Sequence, residues 1–82
     1  MIIKIRLDTI YKVKEFVGLA DRYDGKVEVS SGRSMVNGKS ILGILSLDLS
    51  DDLFVKVEEK EDSYCFLQEL QTWGLCMEGM QG

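Results

Sequence analysis

The hydrophobic period switches repeatedly between two and 3.6 along these 82 residues, and the order of the switches constrains the fold more than any single motif. "IIKIRL" alternates, with Ile3, Ile5 and Leu7 on one side and Ile2, Lys4 and Arg6 on the other, which is the signature of a half-buried strand. In "DTIYKVKEFVGLADRYDG" the spacing becomes helical, through Ile10, Val13, Phe16, Val17 and Ala20. Asp8 or Thr9 can cap its start and Gly25 can end it. "KVEVS" and "SMVN" flank the short turn "SGR" and read as a hairpin. A short helix follows the Asn37-Gly38 turn. "LFVKVEE" alternates again, with Leu53, Val55 and Val57 facing one way. Finally "DSYCFLQELQTWG" places Phe66, Leu70 and Trp73 at helical spacing beside Leu67, with Asp62 as N-cap and Gly74 just past the end. The tail "LCMEGMQG" is expected to dock through Leu75 or to fray.

The resulting order is β-α-β-β-α-β-α. Both long helices carry one apolar stripe, enough to cover one face of a four-stranded antiparallel sheet, so the expected class is α+β with two layers. The other face, with Lys4, Arg6, Lys26, Glu28, Lys56 and Glu58, is left to water. A single domain over residues 1–82 is the expectation from length.

Composition removes several functions. A formal charge of −4 without any lysine or arginine run argues against nucleic acid as partner. No apolar run approaches the roughly 20 residues of a membrane helix, and "MIIKIRLD" is too short for a signal peptide, so the expected location is the cytoplasm, with no membrane contact. There is no histidine, which removes Ser-His-Asp and Cys-His pairs and the usual zinc sites. No phosphate-cradling or dinucleotide glycine motif occurs, and no cofactor is expected. Asp48, Asp51, Asp52, Glu58, Glu59, Glu61 and Asp62 are spaced as solvated turns and strand ends rather than as a catalytic pair. Cys65 and Cys76 would lie about 16 Å apart in a continuous helix, beyond the about 7 Å that a disulfide spans. They are read as two buried thiols; a bridge would need the helix to break at Gly74.

One stretch carries more apolar surface than its element needs. In "NGKSILGILSLDLSDD" the aliphatics after Ser40 cover about 220° of a helix at about 100° per residue, whereas a core-facing stripe needs little more than about 100°. Ile44 and Leu47 fall together and are expected to face the sheet. Ile41, Leu42 and Leu45 cluster on the neighbouring arc and are expected in solvent, as a protein-interaction surface. The alternative is that a loop or the tail folds over them.

The same stretch resembles the region around the regulatory serine of HPr, the small phosphocarrier protein of the bacterial sugar phosphotransferase system. The likeness lies in Lys39-Ser40, two apolar residues, a variable position, then an apolar pair and Leu47. It runs without gaps back through "KVEVSSGRSMV" and "FVGLADRYD" to about Thr9, and forward through "LFVKVEE". The resemblance implies the family's open-faced β-sandwich. It also implies that Ser40 is the target of a dedicated protein kinase and that Ile41, Leu42 and Leu45, with Lys39, contact a protein partner, an HPr-type kinase or a transcription regulator.

One departure bears on activity. Phosphate-carrying members have a histidine before the first helix, followed two and three residues on by arginine and proline. Those positions look like Thr9, Tyr11 and Lys12 here. A threonine hydroxyl forms a stable ester and cannot replace an imidazole as a high-energy carrier. Thr9 reads as a helix N-cap, Tyr11 as a partly exposed aromatic, and Lys12 and Lys14 as first-turn cations that oppose the helix dipole or mark an anion site. Ser40 can cap the short helix and still be a phosphorylation site. The expected function is therefore a non-catalytic regulatory or docking module acting through Ser40 and the adjacent helix, in catabolite control. The alternatives are a phosphocarrier with another acceptor, or an HPr-like domain recruited to an unrelated partner.

Overall fold

The computed structural model describes residues 1–74. The elements are β1 (Ile2–Ile5), α1 (Ile10–Arg22), β2 (Val27–Ser31), β3 (Ser34–Asn37), α2 (Ile41–Leu45), β4 (Leu53–Val57) and α3 (Ser63–Thr72). The four strands form one antiparallel sheet in the order β1-β4-β2-β3. The order of elements and the α+β class are those expected from the pattern.

Register explains why the sheet has one dry face. Ile3, Val55 and Val29 lie in one cross-strand row, and Ile5 pairs with Leu53; all five are buried. The intervening row runs Ile2, Lys56, Glu28 and Asn37, and none of these is buried. The dry face is covered by the helices, which contribute Val13, Phe16, Leu19 and Ala20 from α1 and Phe66, Leu67 and Leu70 from α3. Phe16 and Phe66 meet edge to face at 6.4 Å, and Tyr23 lies 5.1 Å from Phe66. The Tyr23 hydroxyl donates to the carbonyl of Glu58 at 2.5 Å, which satisfies the one polar group of an otherwise apolar ring.

Several local expectations need correction. Ile10, counted in the buried stripe of α1, is 54% exposed, and Leu19 takes a place in the core instead. Ile10 is the first helical residue, so it projects from the rim of the helix rather than onto the sheet. α1 ends at Arg22 with Tyr23 extended as C-cap, before Gly25. Trp73, expected beside Phe66 and Leu70, is 49% exposed at the end of α3. Asp62 occupies the N-cap of α3 but makes no side-chain capping bond. Cys65 is exposed rather than buried, because it falls on the outer side of α3 next to Phe66. Cys76 and the tail lie outside the described residues. Gly74 does take the left-handed conformation, φ +71, and its N–H donates to Gln71, as a helix-ending glycine should.

Gly38 shows how tightly the sheet receives the chain leaving β3. Its N–H donates to the Val27 carbonyl at 2.7 Å, and an added Cβ would come within 2.6 Å of Val27 Cγ1. Gly38→Ala should therefore cost about 1–3 kcal/mol, the usual range for overpacking, seen as a lower denaturant midpoint with an unchanged m value.

Candidate functional site

Ser40 is placed by two successive turns. The Asn37 side-chain oxygen accepts the Lys39 N–H at 2.9 Å, and the Asn37 carbonyl accepts the Ser40 N–H at 3.0 Å. Ser40 is then the N-cap of α2, in an extended conformation, with its Oγ accepting the Gly43 N–H at 3.0 Å. Gly43 is confined as well: an added Cβ would lie 3.2 Å from both Ser40 Oγ and Val36 Cβ. The short helix is thus pressed against β3 with its serine at the leading edge.

Around the rest of α2 the side chains divide as the wheel predicts except at Ile41, which was expected in solvent. Ile44 is fully buried and Leu47 nearly so, while Leu42 is 78% and Leu45 42% exposed. Ile41 is half-buried and packs against the core, so the outward surface rests on Leu42 and Leu45. Lys39 is turned away from that surface. Its ammonium donates to the Tyr23 carbonyl, at the negative end of α1, where a cation is favoured.

The start of α1 comes next to the far end of α2. Arg6, Asp8, Thr9, Ile10, Leu45, Leu49 and Ser50 border an open cleft of about 520 Å³. Thr9 is the N-cap, and its Oγ1 accepts the Lys12 N–H at 3.1 Å. The Lys12 ammonium lies 3.1 Å from the Asp8 carboxylate, so it is already engaged. The hydrogen bond from Lys12 holds the Asp8 carboxyl below its ordinary range. Tyr11 is 66% exposed. Thr9 and Leu45 therefore share one cleft, whereas Ser40 lies at the other end of α2 and Lys39 faces the C-terminus of α1. Sequence reasoning missed Ile10 and Leu49 as parts of this surface. The usable signal was position, since Ile10 opens a helix and Leu49 follows one.

Asp52 anchors the segment that leads from α2 into β4. Its carboxylate lies 3.2 Å from Arg6 and 3.4 Å from Lys4. The Arg6 hydrogen bond is the largest cause of its lowered pKa, followed by the opposing effect of partial burial and then by Lys4.

The match to known proteins follows this geometry. The family model described as "PTS HPr component phosphorylation site" matches residues 12–72, about three quarters of the chain. The chain belongs to the HPr family. HPr proteins are phosphocarriers of the sugar phosphotransferase system rather than catalytic enzymes. Among solved structures, the chain is similar to HPr-C-His from Thermoanaerobacter tengcongensis, with TM-score 0.71 and 26% identity over 88% of this chain and 85% of that one. It also shares the fold of the phosphocarrier protein HPr from Bacillus anthracis str. Ames, with TM-score 0.66 and 22% identity over 89% and 92% of the two chains. No curated protein sequence matches the chain. The HPr match begins at residue 12, so of the three positions that resemble the phosphohistidine segment it covers Lys12 and leaves out Thr9 and Tyr11. Among the described residues, no helix is long and apolar enough to cross a membrane.

Two outcomes test this geometry. A carboxyl with a depressed native pKa adds stability above its unfolded value, and that stability is lost as pH falls through the native value. Asp52→Asn should therefore lower the thermal midpoint at pH 7, and the difference from the parent should vanish in acid once Asp52 is protonated in both states. Leu42→Asp and Leu45→Asp should leave the melting curve nearly unchanged. Ile44→Asp and Leu47→Asp should unfold the chain, since a buried unpaired carboxylate costs several kcal/mol against a total stability on the order of 5–15 kcal/mol. Equal destabilisation by all four would mean that α2 has no free side.

Proposed function

We propose that this HPr-family chain acts as a regulatory or docking module, not as a phosphocarrier, through Ser40 and the apolar surface of α2 continued by Ile10 and Tyr11. The observation that carries this reading is that surface: Leu42, Leu45, Ile10 and Tyr11 are all substantially exposed, and Leu45 and Ile10 line the cleft at Thr9. Exposed aliphatic and aromatic side chains grouped in this way are what a protein partner buries. The absence of histidine supports the loss of phosphoryl transfer. Thr9 uses its hydroxyl as a helix cap, and its phosphate ester would be too stable to pass on. A protein partner of the catabolite-control type and a cytoplasmic location go with this reading.

A phosphate on Ser40 would stand beside the first-turn N–H groups of α2, where negative charge is favoured by about 0.3–1 kcal/mol. Modification would thus be tolerated by the fold and felt in binding. A charge of about −2 next to Leu42 recruits a partner with a basic rim and repels an acidic one. Lys39, held at Tyr23, leaves that charge largely uncompensated.

Two incubations test the proposal. An HPr-type kinase with ATP should place one acid-stable phosphate on the chain, mapped to Ser40 by mass spectrometry. Phosphoenolpyruvate with the first enzyme of the phosphotransferase system should label nothing. Acid-labile phosphate in the second incubation would restore the carrier function, and no incorporation in the first would reduce Ser40 to a structural cap.

A further inference from the structure

The crest of α1 has a feature that the surface around α2 does not use. At about 100° per residue, Gly18 lies about 170° from the mean direction of the buried residues Val13, Phe16, Leu19 and Ala20. It is therefore at the outermost line of the helix. It is exposed, and an added Cβ would meet nothing within 4 Å. Glycine is the poorest helix former after proline, and nothing among the described residues requires it at a position with helical backbone and open space. A bare helix crest is where another backbone can approach closely.

The charges flanking Gly18 identify what approaches. Lys14 and Asp21 lie to one side of the Gly18 line, Glu15 and Arg22 to the other. Lys14 precedes Gly18 by about 6 Å along the axis and Asp21 follows it by about 4.5 Å; Glu15 precedes it by about 4.5 Å and Arg22 follows it by about 6 Å. Each side thus carries opposite charges at matching distances from the glycine. When two such helices lie antiparallel and cross at Gly18, Lys14 meets Asp21 of the second copy, and Glu15 meets its Arg22. A parallel arrangement would instead pair Lys14 with Glu15 and Asp21 with Arg22 of the second copy. It would, however, set the two helix dipoles side by side in the same direction, which the antiparallel one avoids. No ion pair among the described residues engages Lys14, Glu15 or Asp21. Arg22 makes one exposed contact, with Glu69 at 3.5 Å.

We infer that the crest of α1 is a self-association surface, on which a second copy of this chain packs its own α1 antiparallel across Gly18. A contact between one pair of helices falls below the about 1,200 Å² of standard interfaces, so the dimer is a weak one that forms at high local concentration and dissociates as salt rises. The surface is separate from the one centred on Leu42 and Leu45.

Sedimentation of the full chain at low salt, from micromolar to millimolar concentration, tests the inference. The average mass should climb from the monomer value towards twice that value. Lys14→Asp should weaken association by about tenfold, since it turns two attractive pairs into repulsive ones. Adding Asp21→Lys to the same chain should restore it. Gly18→Ala should raise the thermal midpoint through helix propensity and yet weaken association, whereas Leu42→Asp should leave association intact. A constant monomer mass at millimolar concentration would overturn the inference. So would association that survives Lys14→Asp, or association that is lost in Leu42→Asp but kept in Gly18→Ala.

Discussion

Gly38 rests on Val27 so closely that a methyl group would not fit, and the seating of α2 depends on this contact. β2 is an interior strand, hydrogen-bonded to β3 on one side and β4 on the other, and Val27 is buried at its start. With the Gly38 N–H bonded to the Val27 carbonyl, the chain leaving β3 is pinned to the rigid middle of the sheet. The Ser40 cap and the buried Ile44 then follow within six residues. An alanine at this position would move α2 as a body, and with it the serine and the exposed leucines.

Strand periodicity was fully legible in the amino-acid pattern. The alternation in "IIKIRL" and "LFVKVEE" assigns Ile3, Ile5, Leu53, Val55 and Val57 to the dry face, where they lie buried. Two-sidedness is a property of the strand itself, because successive side chains must point in opposite directions. Helix ends were less legible. Ile10 and Trp73 both have the correct spacing for a buried stripe and are both about half exposed, since spacing reports direction around a helix and not whether anything lies opposite. The same limit applies to Cys65, whose residue type favours burial although its position on α3 faces outward.

The site was legible in part. Position on the wheel separated Ile44 and Leu47 from Leu42 and Leu45 because α2 meets the sheet along a single line. The direction taken by Lys39 was not legible. Adjacent to Ser40 in sequence, it reaches instead for the Tyr23 carbonyl at the end of α1, a partner sixteen residues earlier that only the fold brings close. The cleft between Thr9 and Leu45 was hidden for the same reason, since its walls come from two loops distant in sequence. The scaffold itself has little to do with histidine chemistry. Among the described residues its core is aliphatic and aromatic apart from Ser63, so the fold of the HPr family persists here in a chain without histidine.

α2 contains only five residues, far short of the about 12–15 that even a favourable isolated helix needs in water. It exists because the Ser40 cap, the Gly38 seat and the burial of Ile44 act at once, and losing any one removes the support of the others. Segments of this kind open as a unit. The amides of α2 therefore share one opening free energy, smaller than that of the sheet, and exchange their hydrogens with solvent together. The surface around Leu42 and Leu45 is then a small two-state element, shut while Ser40 holds Gly43 and released as a whole when it lets go.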